Sequence, residues 1–305
     1  MVVTEAVKEI AVAGMPEPRT IDVDGIKTRY YEKGAGEPIV FIYGGNFGTA
    51  DSASSAYTWS EQLKGLADRF RVIAFDKIGQ GHTDNPLNDD YTMAAVVRHA
   101  AGFIKAMKLP PVHLAGHSRG GYAATRLTLE YQHLVRSLTI VNSGTLSTAV
   151  GTNDVVLGWA PYPAYSRECA RWIYENYCFR RAAVTDEWID SVVQTLSLPK
   201  YRISVDKMEK ENLKNKMFYP MLAAQKQETV RWLTEGRLQR PTQVVWGFND
   251  RTASVEGGFE MYQMIGAHER RTIMNVINES GHFPFREHPD TFNGLFGRFV
   301  QAHSV

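Results

Sequence analysis

Five short apolar runs organise this 305-residue chain: PIVFIYGG from Pro38, RVIAFD from Arg71, VHLAG from Val112, LVRSLTIVN from Leu134 and TQVVWG from Thr242. Largely continuous apolar runs of this length fit strands covered on both faces. Segments with helical spacing separate them, at Trp59 to Phe70, Thr92 to Met107 and Ala123 to Tyr131. After the last run come a helix near Val255 to Ile265, a strand near Arg271 to Ile277 and a final helix from Pro289 to Ala302. Strands alternating with helices predict an α/β fold whose sheet is mostly parallel and flanked on both sides. Ahead of the first run, RTIDV and IKTRYYEKG flank Asp24-Gly25, the signature of a hairpin turn.

The rhythm stops between Ser143 and about Arg240. That stretch is helical in pattern and rich in aromatics, Trp159, Tyr162, Tyr165, Trp172, Tyr174, Tyr177, Phe179 and Trp188 among them, and ends in a charged helix around DKMEKENLKNK. It reads as an insertion into the sheet rather than as an independent domain. The organisation expected is a tail over 1–18, a core built from 19–142 and 241–305, and a helical segment over 143–240.

The third run continues into Gly116-His117-Ser118-Arg119-Gly120, a G-x-S-x-G between a strand and a helix. Its mechanical meaning is a sharp turn that lifts a serine oxygen clear of the sheet edge, with glycines where neighbouring backbone leaves no room for a side chain. A serine hydroxyl needs a base, and the base needs a third group to hold it. In such sheets reactive groups sit on loops at the carboxyl ends of strands. Asp250 follows TQVVWGFN and His282 follows TIMNVINESG, so the chain order is Ser118, Asp250, His282. Asn249 is an amide and leaves Asp250 as the only carboxylate at the end of its strand.

Other polar residues read more plainly. His113 and His117 are four apart but on a strand, without a third ligand at suitable spacing, so no metal site is expected. Asp76 fits a structural role, tying backbone N–H groups of its loop. His99, His133, His268, His288 and His303 fall on helices or chain ends and are expected to be solvated.

Four blocks together resemble the α/β-hydrolases: Tyr43-Gly44-Gly45, the loop Asp76 to Thr83, the turn at Ser118, and Trp246 to Asp250 with Ser280-Gly281-His282. Within that superfamily the chain is similar to the hydrolases that cleave carbon–carbon bonds in ring-opened aromatic compounds, most of all from Arg71 to Gly144. The resemblance implies Ser118 as nucleophile, His282 as base and Asp250 as the acid that holds the imidazole. It implies an oxyanion hole from the backbone N–H groups of Arg119 and Gly45, and a helical lid over 143–240. Substrate contacts are expected from Gly44, Asn46, His117, Phe283, Trp159 and Trp172, with no cofactor.

Several positions depart from the family. Tyr43 stands where many relatives have histidine, His117 where the carbon–carbon hydrolases commonly have asparagine, and Phe283 where they have tryptophan. Their lid arginine, which binds the substrate carboxylate, has no counterpart in TDEWIDSVV, and Arg180 and Arg181 are the nearest replacements. An ester or lactone hydrolase would use the same triad, and a small-molecule receptor could keep the fold without turnover. Ser118 at the turn disfavours the relatives with an aspartate nucleophile.

A formal net charge of +1 argues against a nucleic-acid or membrane-surface partner, and no apolar run approaches the ~20 residues of a membrane helix. The expected partner is a small molecule, aromatic or apolar, and a homo-oligomer is compatible with the reading. Glu5, Lys8 and Glu9 interrupt any apolar signal segment, so a cytoplasmic location is expected. Cys169 and Cys178 do not make a disulfide framework.

Overall fold

The computed structural model describes residues 15–147 and 160–305. Residues 1–14 of the expected tail and Trp159 lie outside them. Eight strands form one sheet: β1 (Arg19–Val23), β2 (Ile26–Lys33), β3 (Pro38–Ile42), β4 (Arg71–Phe75), β5 (Val112–His117), β6 (Val135–Val141), β7 (Thr242–Gly247) and β8 (Ile273–Ile277). Their order is β1-β2-β4-β3-β5-β6-β7-β8, with β1 and β2 antiparallel and the rest parallel from β4 onward.

That order decides where a site can form. After β3 the chain crosses to β4 on one side, whereas after β5 it crosses to β6 on the other. The loops leaving β3 and β5 therefore diverge and open a crevice at the carboxyl ends of the two strands. Because Ile42 pairs with Gly116, the Tyr43-Gly44-Gly45 turn and Ser118 leave the sheet side by side there.

Side chains alternate across the sheet, which is why both faces are apolar. Val40, Ile42, Ile73, Phe75 and Leu114 enter one core with α2 (Met93–Ala106), α3 (Arg119–Glu130) and α8 (Val255–Gly266). Ile39, Phe41, Val72, Ala74 and Ala115 enter the other with α1 (Ser60–Gly65) and α10 (Pro289–Ala302). Among the described residues between β6 and β7 lie α4 (Arg167–Tyr177), α5 (Asp186–Ser197), α6 (Pro199–Glu209), a wide turn at Lys214–Phe218 and α7 (Tyr219–Thr234). A four-residue helix, α9 (Pro284–Glu287), follows β8.

Four expectations change in the structure. The helix expected over Trp59 to Phe70 is only the turn Ala56–Trp59 plus α1, because beyond Gly65 the chain folds back so that Phe70 reaches the core. The helix after the serine starts at Arg119 rather than Ala123. The charged segment DKMEKENLKNK is not one helix, since α6 ends at Glu209 and Asn212 takes a left-handed φ of 59°. His99 is 5% exposed rather than solvated, because it faces Thr28 of β2 from the buried side of α2.

Candidate active site

Ser118 occupies a turn with φ 53° and ψ −124°, strained for a residue with a side chain. Two neighbours show why glycine is needed. A Cβ on Gly116 would lie 2.2 Å from Gly120 O, and one on Gly120 would lie 2.2 Å from Ile42 O, so α3 could not press onto the strands. The serine backbone is pinned by its N–H to Val141 O (2.8 Å) and by Ser143 Oγ donating to Ser118 O (2.7 Å).

His282 and Asp250 converge on the same end of the sheet. His282 Nδ1 lies 2.6 Å from Asp250 Oδ2 and both are buried. Asp250 Oδ2 also accepts from Asn142 Nδ2 (2.7 Å), while Oδ1 accepts from Thr252 N, Thr252 Oγ1 and Ala253 N at 2.8, 2.8 and 3.0 Å. Burial by itself would raise this carboxyl, but the imidazole, Asn142 and the Thr252 N–H outweigh it and hold the pKa below the usual value. Asp250 is thus a charged acceptor for a hydrogen bond from Nδ1–H, which leaves Nε2 as the nitrogen without a proton. Ser118 and His282 line one cavity without a hydrogen bond between Oγ and Nε2, an alignment that enzymes often complete only in the substrate complex.

Two residues missed in the sequence hold this arrangement. Asn142, at the end of β6, donates to Asp250 and accepts the Gly247 N–H at 3.1 Å, so it ties β6 to β7 under the acid. Glu287 accepts from Gly281 N (2.9 Å) and Phe283 N (3.3 Å) through one oxygen, and from Phe179 N and Arg180 N (both 2.8 Å) through the other. It fastens the loop carrying His282 to the segment after α4. The only sequence signals were an asparagine ending an apolar strand and an acid five residues past a histidine, and both are common.

The cavity measures about 810 Å³. Gly44, Gly45, Asn46, His117, Ser118, Arg119, His282 and Phe283 face it from the sheet side. Ile173, Tyr174, Tyr177, Lys214, Tyr219, Leu222 and Lys226 face it from the helices between β6 and β7. Trp172 is half-buried but is not among the lining residues, because α4 turns its neighbours Ile173 and Tyr174 inward. Trp188 packs behind Phe283 with ring centroids 5.0 Å apart. Arg180 and Arg181 are exposed and away from the cavity, with Arg180 pairing Glu279 at 2.8 Å. Among the described residues the cations on the wall are instead Arg119, Lys214 and Lys226, beside a single carboxylate, Asp51.

His117 is buried and its Nε2–H donates to His282 O at 2.8 Å, which links the residue before the serine to the backbone of the other catalytic candidate. Burial, with His282 adding repulsion, draws its pKa well below the usual range, so it is neutral. Asp76 accepts from Ala56 N, His82 N and Arg29 Nε, each at 2.7 Å, as its structural role predicted. Among the described residues no group of three metal-ligating side chains occurs, and no helix is long and apolar enough to cross a membrane.

Residues 37–289 match the family model of the alpha/beta hydrolase fold, and the chain belongs to that family. It is an enzyme of the hydrolase class, as its full-length relatives are. The 2-hydroxymuconate semialdehyde hydrolase of Pseudomonas sp. (strain CF600) is 27% identical over 288 residues, 92% of this chain and 93% of the relative. The 2-hydroxy-6-oxo-6-(2'-aminophenyl)hexa-2,4-dienoic acid hydrolase of Metapseudomonas resinovorans is 28% identical over 289 residues, 90% of this chain and 87% of the relative. A solved meta-cleavage product hydrolase from Pseudomonas fluorescens IP01 superposes with a TM-score of 0.71 at 24% identity, covering 93% of this chain and 97% of that one, and so shares the fold.

Proposed function

We propose that the protein is a serine hydrolase that cleaves a carbon–carbon bond next to a carbonyl in ring-opened aromatic acids. Ser118 is the nucleophile, His282 the general base and Asp250 the group that orients and charge-stabilises the imidazole. The N–H groups of Arg119 and Gly45 receive the oxyanion, and residues 143–240 act as the lid. A dienol substrate first tautomerises to a ketone, losing its enol O–H proton as the departing carbon gains one. Ser118 Oγ then bonds to the carbonyl carbon as its proton passes to His282. The carbon–carbon bond breaks with its electron pair leaving on the dienolate fragment, which takes the proton from His282 and departs as the hydroxydienoate. His282, neutral again, deprotonates water, the hydroxide displaces the acid from Ser118, and the proton returns to Ser118 Oγ.

The observation that carries this reading is the whole-length similarity to relatives named for such substrates, one of them a dienoic acid. The cavity wall agrees with it, since among the described residues Arg119, Lys214 and Lys226 outnumber Asp51 and suit an anionic substrate, while Tyr174, Tyr177, Tyr219, Leu222 and Phe283 suit an apolar one. The test mixes the purified protein with a ring-cleavage dienoate and follows loss of its visible absorbance with identification of products. Bleaching with release of an acid and a hydroxydienoate supports the reading. No turnover there beside fast hydrolysis of aryl esters would replace it with an esterase.

A further inference from the structure

We propose that Lys77 is a positioning residue for the oxyanion hole, tying back the carbonyls of Gly44 and Gly45 so that the Gly45 N–H is aimed at the space beside Ser118. The inference rests on the reading of Ser118 as the nucleophile.

Lys77 lies just past β4, and β4 runs parallel beside β3, so the loops leaving the two strands meet. The residue is 1% exposed. Its Nζ donates to Gly44 O at 2.7 Å and to Gly45 O at 3.3 Å, and lies 4.6 Å over the centre of the Tyr43 ring. Its backbone N–H donates to Tyr43 Oη at 3.1 Å. One residue therefore holds all three members of the Tyr43-Gly44-Gly45 turn.

A buried lysine ordinarily sits against a carboxylate, because desolvating it alone is costly. Here the adjacent carboxylate, Asp76, is taken up by Arg29 at 2.7 Å and makes no ion pair with Lys77. Burial, with Arg119 adding repulsion and Asp76 opposing, draws the amine well below the usual lysine range. The two donated bonds survive this, since a neutral amine keeps two N–H groups. The cost of burial is thus directed at two backbone carbonyls rather than at an ion pair.

Peptide geometry supplies the consequence. Gly44 C=O and Gly45 N–H belong to one planar trans peptide and point in opposite directions. Fixing the carbonyl toward Lys77 fixes the N–H on the far side. The turn itself abuts the serine, since a Cβ on Gly44 would lie only 2.7 Å from Ser118 Cβ, and the Gly45 N–H is inferred to lie on that side. Gly45 turns the chain with φ 80°, a conformation that offers little rigidity of its own, so an external tether is needed. A hydrogen bond on the carbonyl also polarises the amide and makes its N–H a stronger donor.

The experiment compares wild type with Lys77→Met, which keeps the length and loses the donors. Folding is checked by circular dichroism, and Ser118 is titrated with a p-nitrophenyl phosphonate whose tetrahedral oxygen occupies the oxyanion hole as p-nitrophenolate leaves. kcat and KM are measured on the substrate turned over by wild type. We expect phosphonylation and kcat to fall by about 10- to 100-fold with KM changed less than about twofold, the split expected of a contact that matters in the transition state. If Lys77→Met does not fold, Lys77→Gln, whose shorter amide cannot reach both carbonyls, decides by the same readouts. Equal labelling rates in wild type and a folded variant, or a loss confined to KM, would overturn the inference alone. Failure of the phosphonate to label wild type at Ser118 would overturn the nucleophile reading and this inference with it.

Discussion

Replacing His99 with glutamine should flatten the acid limb of the protein's stability curve. Thr28 Oγ1 donates to Ile26 O at 3.1 Å, so the 2.8 Å contact between His99 Nε2 and Thr28 Oγ1 requires Nε2 to carry the proton. Nδ1 is then bare, and it is buried without a hydrogen-bond partner among the described residues. Protonating it would place a charge and an unpaired N–H beside Phe75, whose ring centre is 5.9 Å away. Burial accordingly draws the imidazole from 6.5 down to about 4. Between those two pH values the unfolded chain binds a proton that the folded chain does not, so stability falls as pH falls. Linkage gives a loss of about 2 kcal/mol from this residue between pH 7 and pH 5. His113, also drawn to about 4 by burial with Arg136 and His303 adding to it, contributes to the same limb and is present in both proteins. The difference between them therefore isolates His99. The assay is urea denaturation at the two pH values, extrapolated to water with a check that the slope is constant. Glutamine retains a donor for Thr28 but does not titrate. Equal losses in wild type and His99→Gln, within about 0.5 kcal/mol, would refute the argument.

Ser118→Ala should abolish phosphonate labelling and lower kcat by several orders of magnitude; residual turnover near the wild-type rate would remove Ser118 from the mechanism. Asn142→Leu takes a charge-assisted hydrogen bond from Asp250, worth about 1.5–3 kcal/mol, and should lower kcat about 10- to 100-fold with KM nearly constant. An unchanged kcat would show that Thr252 and Ala253 suffice to hold the acid. Glu287→Gln presents an amide N–H to backbone donors that now meet a carboxylate, so amide exchange at 281–283 should accelerate and kcat should drop about tenfold. Exchange equal to wild type would mean that packing alone fixes the His282 loop.

The architecture and the candidate chemistry were legible in the order of the amino acids. Buried strands must be apolar along their length and helices between them must be amphipathic, so the order of elements is written in local periodicity. The strand–turn–helix around Ser118 is equally local, since the glycines that permit it lie within two residues of the serine. Asp250 and His282 could be nominated because loops at the carboxyl ends of strands converge once the sheet is parallel. What depends on segments far apart in the chain became visible once they were packed together. The burial of His99 follows from its facing β2 across 71 residues of sequence. Trp172 drops from the lining set and Arg180 turns outward because helix rotation and loop path are set by packing against the core, not by composition. Lys77 and Glu287 carry no local signal of their roles, because the fold seals them against backbone carbonyls and N–H groups 33 and 108 positions away. A one-residue rotation of a helix or loop costs nothing in local propensity yet changes every such contact, which is why these residues were out of reach of the sequence.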